Sequence, residues 1–383
     1  MATTITSGVQ YSGIWTMQQV NAAVAAGTWT GIPFLYSWGY NVEGQLGIGN
    51  ITNYSSPKQV GALITWSVIS QNRSFMMGTQ TNGTLWGWGQ NAGGSLGLGN
   101  TTAYSSPKQV GALTVWSTVS SGDQCAFAIT TSGALWSWGD GTYGKLGLGN
   151  ITYYSSPKQV GALTNWASIG ASKSANAIKT DGTLWGWGQN ANGQLGLGNL
   201  TLYSSPKQVG SLTNWLKIAT GYQHTLAIKT DGTIWSWGRN NFGQLGLGNI
   251  TQYSSPKQIG LLTNWLNIAA GYYHSVAVKT DGTIWSWGYN ANGQLGLGNT
   301  TNYSSPKQIG ALTSWLKIAS GYGSCYAIST GKALWSWGRN VNGQLGLGNT
   351  TNYSSPKQVG ALTTWSVVNS GCSGQTVGAI ATT

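Results

Sequence analysis

The chain has 383 residues, 18 Lys+Arg against 6 Asp+Glu, and a formal charge of +12. Charged residues are only 6% of it, against about 25% in an average soluble domain, so Ser, Thr, Asn, Gln and Gly must build most of its surface. The 22 Trp exclude a disordered chain, and two His with six acids leave little for acid–base catalysis or a metal centre.

In chain order, residues 1–33 come first, as an extension outside everything that follows. They lack the basic start and apolar core of a signal peptide. Thr16 is placed to N-cap a helix from Met17 to Ala26, with Gly27 just past its end. Met17, Val20 and Val24 share one face of that helix. No run of 18 apolar residues occurs anywhere, so no transmembrane helix and no membrane insertion are expected. Cys125, Cys325 and Cys372 lie far apart without a CxxC spacing and imply no disulfide framework.

Residues 34–383 are a repeat. Trp-Gly preceded by Ser or Gly recurs with Trp at 38, 88, 138, 187, 237, 287 and 337. Ser-Ser-Pro-Lys-Gln also occurs seven times, and a further Trp series runs from Trp66 to Trp365 at the same period. Seven copies of about 50 residues suit a β-propeller of four-stranded blades. In one copy the pattern predicts strands at Trp215–Ala219, Thr225–Lys229, Thr233–Trp237 and Lys257–Ile259. Asp231-Gly232 is the hairpin turn, and Pro256 stands at the start of the last strand. Trp235 and Trp237 share a face because strand side chains alternate. The tail stops where a Leu-Trp-Ser-Trp-Gly string is due, and Leu35-Tyr-Ser-Trp-Gly39 supplies that string near the other end. The expected fold is therefore all-β: a seven-bladed β-propeller closed by pairing of N- and C-terminal strands, which removes exposed sheet edges. The N-terminal extension would add one helix.

Trp-Ser-Trp-Gly-Arg-Asn, then Gly-Gln-Leu-Gly-Leu-Gly-Asn, then Ser-Pro-Lys-Gln resembles the regulator of chromosome condensation repeat. Gly221-Tyr-Gln-His-Thr225 and Gly271-Tyr-Tyr-His-Ser275 are similar to that family's Gly-x-x-His-Thr element. The resemblance covers about residues 34–383 and implies a seven-bladed propeller, without implying one function. The family includes a nucleotide-exchange factor for a nuclear small GTPase, a plant ultraviolet-B receptor and a bacterial β-lactamase inhibitor. This chain has no long insertion and few acids, which argues against exchange activity. It has Tyr222 and Tyr272 where the photoreceptor carries clustered Trp and Arg, and its only Arg are Arg73, Arg239 and Arg339. In the extension, Ser12-Gly-Ile-Trp-Thr-Met-Gln-Gln-Val20 and Ala25-Ala-Gly-Thr-Trp29 resemble a segment of bacteriophage tail-associated and fibre-like proteins. That resemblance implies docking or oligomerisation through Trp15, Met17, Val20, Val24 and Trp29.

Three sets of repeated positions are candidate sites. Lys58, Lys108, Lys158, Lys207, Lys257, Lys307 and Lys357 would form a basic ring, either attracting polyanions or protecting sheet edges. Tyr40, Gln90, Asp140, Gln189, Arg239, Tyr289 and Arg339, each following Trp-Gly, differ between copies and would tune a recognition surface. Asn50 and its six equivalents sit in Asn-x-Thr sequons and read as turn residues bonding the backbone. His224 and His274 fall at a position where Cys125 stands in another copy, which suits a buried structural site. No catalytic constellation recurs, so no enzyme, cofactor or metal is expected, and nucleic-acid binding is disfavoured for want of clustered Arg.

The expectation from these readings is a non-enzymatic bacteriophage virion protein. It would be a tail-fibre, spike or decoration subunit contacting other virion proteins, as a possible homo-oligomer, and displaying the propeller to a host glycan or receptor. The alternatives are a soluble protein-interaction propeller, acting as inhibitor or scaffold through one face in the cytoplasm, and a secreted lectin-like protein.

Overall fold

A computed structural model describes residues 33–382, and the extension with its expected helix lies outside the described residues. Seven four-stranded antiparallel sheets follow one another. Blades 1 to 6 span residues 66–109, 116–159, 166–208, 215–258, 265–308 and 315–358. Blade 7 combines Trp365–Asn369 and Thr376–Thr382 with Pro33–Gly39 and Tyr54–Ile64. The only helical element among the described residues is a single 3-10 turn, Thr142–Gly144. No described helix is long and apolar enough to cross a membrane.

Closure takes the expected form. Pro33–Gly39 pairs antiparallel with Thr376–Thr382 through seven consecutive residue pairs, with Leu35 opposite Ile380. The tail is nevertheless two positions away from the register that the repeat arithmetic predicts. Ile380 stands opposite Leu35 as Ile228 stands opposite Ile234. The turn after the first strand of blade 7 spans residues 370–375 and follows a strand one residue shorter, where the same turn of blade 4 spans 221–223. The extra turn residues absorb the offset.

One correction concerns the fourth strand. In blade 4 it is Tyr253–Gln258, not Lys257–Ile259. Pairing is broken between Gly238↔Tyr253 and Ser236↔Lys257, and Pro256 sits inside that irregularity. This is the outermost strand, where a residue without an N–H can stand beside the sheet without breaking an inner ladder. Ile259 is buried and donates its N–H to the Ile234 carbonyl at 2.9 Å, but lies beyond the strand.

The first strands of successive blades contact one another around the axis. They line a channel of about 210 Å³ bounded by small residues such as Ser70, Ser120, Gly170 and Ala219. The Trp-Gly tryptophans hold the blades together. Each is fully buried and donates its indole N–H to a carbonyl in the preceding blade's Gly-rich loop, for example Trp237 to Gln194 and Trp287 to Gln244, both at 2.9 Å. The loop must lie flat on the indole. A Cβ on Gly246, whose φ is +74°, would stand 2.8 Å from Nε1 of Trp287. Edge-on packing of Trp215 against Trp235 and Trp237 fills the space between sheet layers.

Candidate interaction face

Antiparallel strand order puts two segments of every blade on one face: the turn between the first and second strands, and the loop after the third. The backbone clips them together. The residue after Trp-Gly donates its N–H to a carbonyl of that turn in all seven blades. Arg239 donates to Gln223 at 2.9 Å, Tyr289 to Tyr273 at 2.9 Å and Arg339 to Gly323 at 2.8 Å, with Tyr40, Gln90, Asp140 and Gln189 bonded likewise. All seven residues of this set therefore lie on one face, but the structure divides them.

Arg239, Tyr289 and Arg339 join an aromatic–cationic arc over blades 3 to 6. Its spine is Tyr222, Tyr272 and Tyr322, one from each of three successive blades. Tyr222 stacks on Tyr272 with ring centres 3.9 Å apart and planes 15° apart, and Tyr272 meets Tyr322 at 4.5 Å. Tyr273 packs edge-on against Tyr272, and Phe242 bridges Tyr273 and Tyr289 at 5.1 and 4.8 Å. Three cations cover these rings: Lys173 Nζ over Tyr222 at 4.6 Å, Arg239 over Tyr273 at 4.9 Å and Arg339 over Tyr322 at 5.0 Å. Arg239 is further tethered, donating through Nη1 to Gln223 Oε1 at 2.6 Å and to the Tyr273 hydroxyl at 3.2 Å. Burial, followed by its contacts with Tyr222 and Tyr273, pushes the Tyr272 phenol well above its ordinary range, so it remains a neutral donor. Burial alone would lower Lys173, but the Tyr222 hydroxyl and the Asp123 charge hold it above the usual lysine value.

The other side of the same face is different. Tyr40 and Gln90 line a polar cleft with Glu43, Arg73 and Asp123. Asp140 is not free to contact a partner. Its carboxylate accepts from Lys145 Nζ at 2.6 Å in an ion pair whose two side chains are both nearly covered. Burial would raise Asp140, and Lys145 with Thr142 more than reverses this, leaving it below the usual carboxylate range. Gln189 is half-buried and belongs to neither group.

The lysines of the basic ring are not brought together. They occupy seven separate outermost strands, exposed, each with Nζ 5.1 to 5.7 Å from the Tyr ring four residues before it in the same strand. Each Asn of the sequon series accepts the N–H two residues on, as in Thr251 to Asn249 at 2.9 Å. Trp15, Met17, Val20, Val24 and Trp29 lie outside the described residues. On the opposite face the loop between blades exposes a leucine in copy after copy, among them Leu113, Leu163, Leu212, Leu262, Leu312 and Leu362.

His224 and His274 lie beneath the arc, completely buried. His224 Nε2 meets the Ser275 hydroxyl at 3.0 Å, and His274 Nε2 meets Ser320 at 2.7 Å and Cys325 Sγ at 3.1 Å. Burial drives both imidazoles down to about 3 and the Cys325 thiol up to about 12. A neutral imidazole beside a protonated thiol is a packing pair with no activated nucleophile. Among the described residues no group of three His, Cys, Asp or Glu could hold a metal ion.

The repeat reading missed the arc's turn residues, Lys173, Tyr222, Tyr272, Tyr273 and Tyr322, together with Phe242. The available signal was the departure from uniformity at the Gly-x-x-His position.

With this geometry in place, the similarities to known proteins are specific. The model of the RCC1-like domain matches residues 163–383, more than half of the chain. This chain belongs to the RCC1-like domain family. The regulator of chromosome condensation (RCC1) repeat also matches residues 34–70, 82–129 and 132–176, so the RCC1-like assignment runs through the closing blade. Among solved structures, human WBSCR16 superposes with a TM-score of 0.83 at 21% identity, covering 92% of this chain and 99% of that one. Prp20p from Saccharomyces cerevisiae, in a structure reported with its binding to Gsp1p and histones, gives 0.80 at 20% identity, covering 92% of each chain. Yeast RCC1 (Prp20) with Kap60 bound gives 0.81 at 20% identity, covering 100% of this chain and 96% of that one. At these identities the likeness establishes the RCC1-like fold. No curated protein matches the chain.

Proposed function

We propose that this RCC1-like propeller is a non-enzymatic protein-interaction module that binds its partner through the face carrying the aromatic–cationic arc. One observation carries the reading. The repeats are nearly uniform in strands, hairpins and Gly-rich loops, yet the loop positions on this face differ from copy to copy, and across four consecutive blades they hold Lys, Tyr, Phe and Arg side chains that meet. Half-buried Tyr and Arg grouped on a rigid scaffold are the residues that dominate protein interfaces. Prp20p, of the same fold, binds Gsp1p and histones, which agrees with an interaction role.

This replaces a virion adhesin as the preferred reading. That reading draws on residues 1–33, whereas the arc is built into the propeller. The test is partner capture by the immobilised full chain, compared between wild type, a Tyr272→Ser/Tyr273→Ser variant and a Lys58→Gln/Lys108→Gln variant. Loss with the tyrosine pair and retention with the lysine pair supports the proposal. Capture that is indifferent to the tyrosine pair refutes it.

A further inference from the structure

We infer that the arc reads carboxylates, and that its ligand is a short acidic segment of a protein. The inference rests on the protein-interaction reading and names the chemistry of the partner.

The charge of the arc is largely uncompensated. Lys173, Arg239 and Arg339 all lie within the arc, and among the described residues the single ion pair is Lys145 with Asp140, outside it. Of the six acids, Asp181, Asp231 and Asp281 sit in hairpins on the opposite face, each held by the Thr two residues later. Asp140 is neutralised by Lys145. Glu43 and Asp123 line the adjoining cleft, and Asp123 donates its N–H to the Ser172 carbonyl next to Lys173 at 3.0 Å. Arg239 and Arg339, held over one connected aromatic surface, thus lack carboxylates of their own, and Lys173 has the Asp123 charge nearby without an ion pair.

The arc is also pre-organised. Arg239 has one guanidinium nitrogen committed to Gln223 and Tyr273, so its plane is set before a ligand arrives. The rest of the fork is the geometry that takes a carboxylate in two parallel hydrogen bonds. Arg339 is held over Tyr322. Between them, half-buried tyrosines offer hydroxyl donors and ring edges to the apolar parts of a peptide.

The surroundings of the arc discriminate between polyanions. The tyrosine rings are engaged with one another, stacked, edge-on or tilted, and Lys173 and Arg339 cover the outer rings, so they offer no open slot for a nucleobase. The cleft sets Glu43 and Asp123 against a single Arg73, and that net negative charge would repel a long uniform polyanion laid across the face. A short acidic stretch that fits the arc alone avoids this repulsion. Its flanking basic residues would favour the cleft.

The experiment uses the full chain and a fluorescein-labelled synthetic peptide alternating Glu with Tyr, read by anisotropy at low ionic strength. A Gln-for-Glu peptide, a single-stranded oligonucleotide and a sulfated oligosaccharide serve as competitors. The acidic peptide is expected to bind, to lose about tenfold in affinity for each arginine removed in Arg239→Gln and Arg339→Gln, and to be unaffected by Lys58→Gln/Lys108→Gln. Binding should weaken as salt rises. The inference is overturned if wild type does not bind the peptide, if the arginine variants bind it as wild type does, or if either polyanion competes better than the unlabelled acidic peptide. Partner capture that depends on Tyr272 and Tyr273 but survives both arginine changes would retain the interaction reading and discard this one.

Discussion

Acid should destabilise this propeller through two buried histidines. His224 and His274 are fully buried, and burial holds both near 3, with the neighbouring His224 charge also opposing protonation of His274. In the unfolded chain each takes a proton near 6.5. Folded values below unfolded ones mean that stability is complete above pH 6.5 and is lost as pH falls toward the folded value, because the unfolded state binds the extra protons. At pH 5 each histidine costs about 2 kcal/mol, or about 4 kcal/mol for the pair. That is a large part of the 5–15 kcal/mol total of a typical domain (roughly). Against burial, hydrogen bonds from Lys145 and Thr142 hold Asp140, and hydrogen bonds from the Thr two residues later hold Asp181, Asp231 and Asp281, below the usual carboxylate range, so these four do not share the histidine window. A change of about 4 kcal/mol corresponds to about 5 °C in melting temperature for a chain of this size. The assay is tryptophan-fluorescence melting at pH 7.5 and pH 5.0 for wild type and for His224→Gln/His274→Gln, which cannot titrate. Wild type should lose about 5 °C and the double variant about 1 °C or less. An equal loss in both proteins would refute the reasoning.

Other outcomes follow from the packing. Gly246→Ala brings a Cβ to 2.8 Å from Trp287 at φ +74°, whereas Gly260, at φ +61°, has nothing within 4 Å. The first change should cost about 3 kcal/mol and the second about 1 kcal/mol, read by urea denaturation. Asp140→Asn removes the counter-charge of the buried Lys145 ammonium, which keeps only the Asp123 carbonyl and the new amide. A loss of about 3 kcal/mol is expected in the same assay, and Asp140→Asn/Lys145→Met should recover part of it. Cys125, Cys325 and Cys372 are free, buried and pushed up to about 12, 12 and 11. An aromatic disulfide reagent at pH 8 should therefore label none of them in native protein and all three in urea.

Much of this architecture is legible along the chain because each blade is a local object. Trp-Ser-Trp alternates across one strand, Asp-Gly closes one hairpin, and the tail matches the string at Leu35 through simple periodicity. The errors are local too. Pro256 marks an irregular outermost strand and not its beginning, and the longer turn at residues 370–375 shifts the closing register. Both depend on what lies beside the strand. The binding face was half legible. Arg239, Tyr289 and Arg339 stand out as variable loop positions, while Asp140, read the same way, proves to be neutralised by Lys145 five residues on.

What the order of residues determined by itself is the number of blades, the strands within them and the join that closes the circle, since all follow from spacing and alternation. Only the tertiary structure decided that Tyr222, Tyr272 and Tyr322 touch. Each is about 50 residues from the next, and nothing in the intervening sequence brings one toward another. They meet because closing the ring sets successive turns side by side around a narrow axis. Contact between them is a property of the circle and of no single repeat.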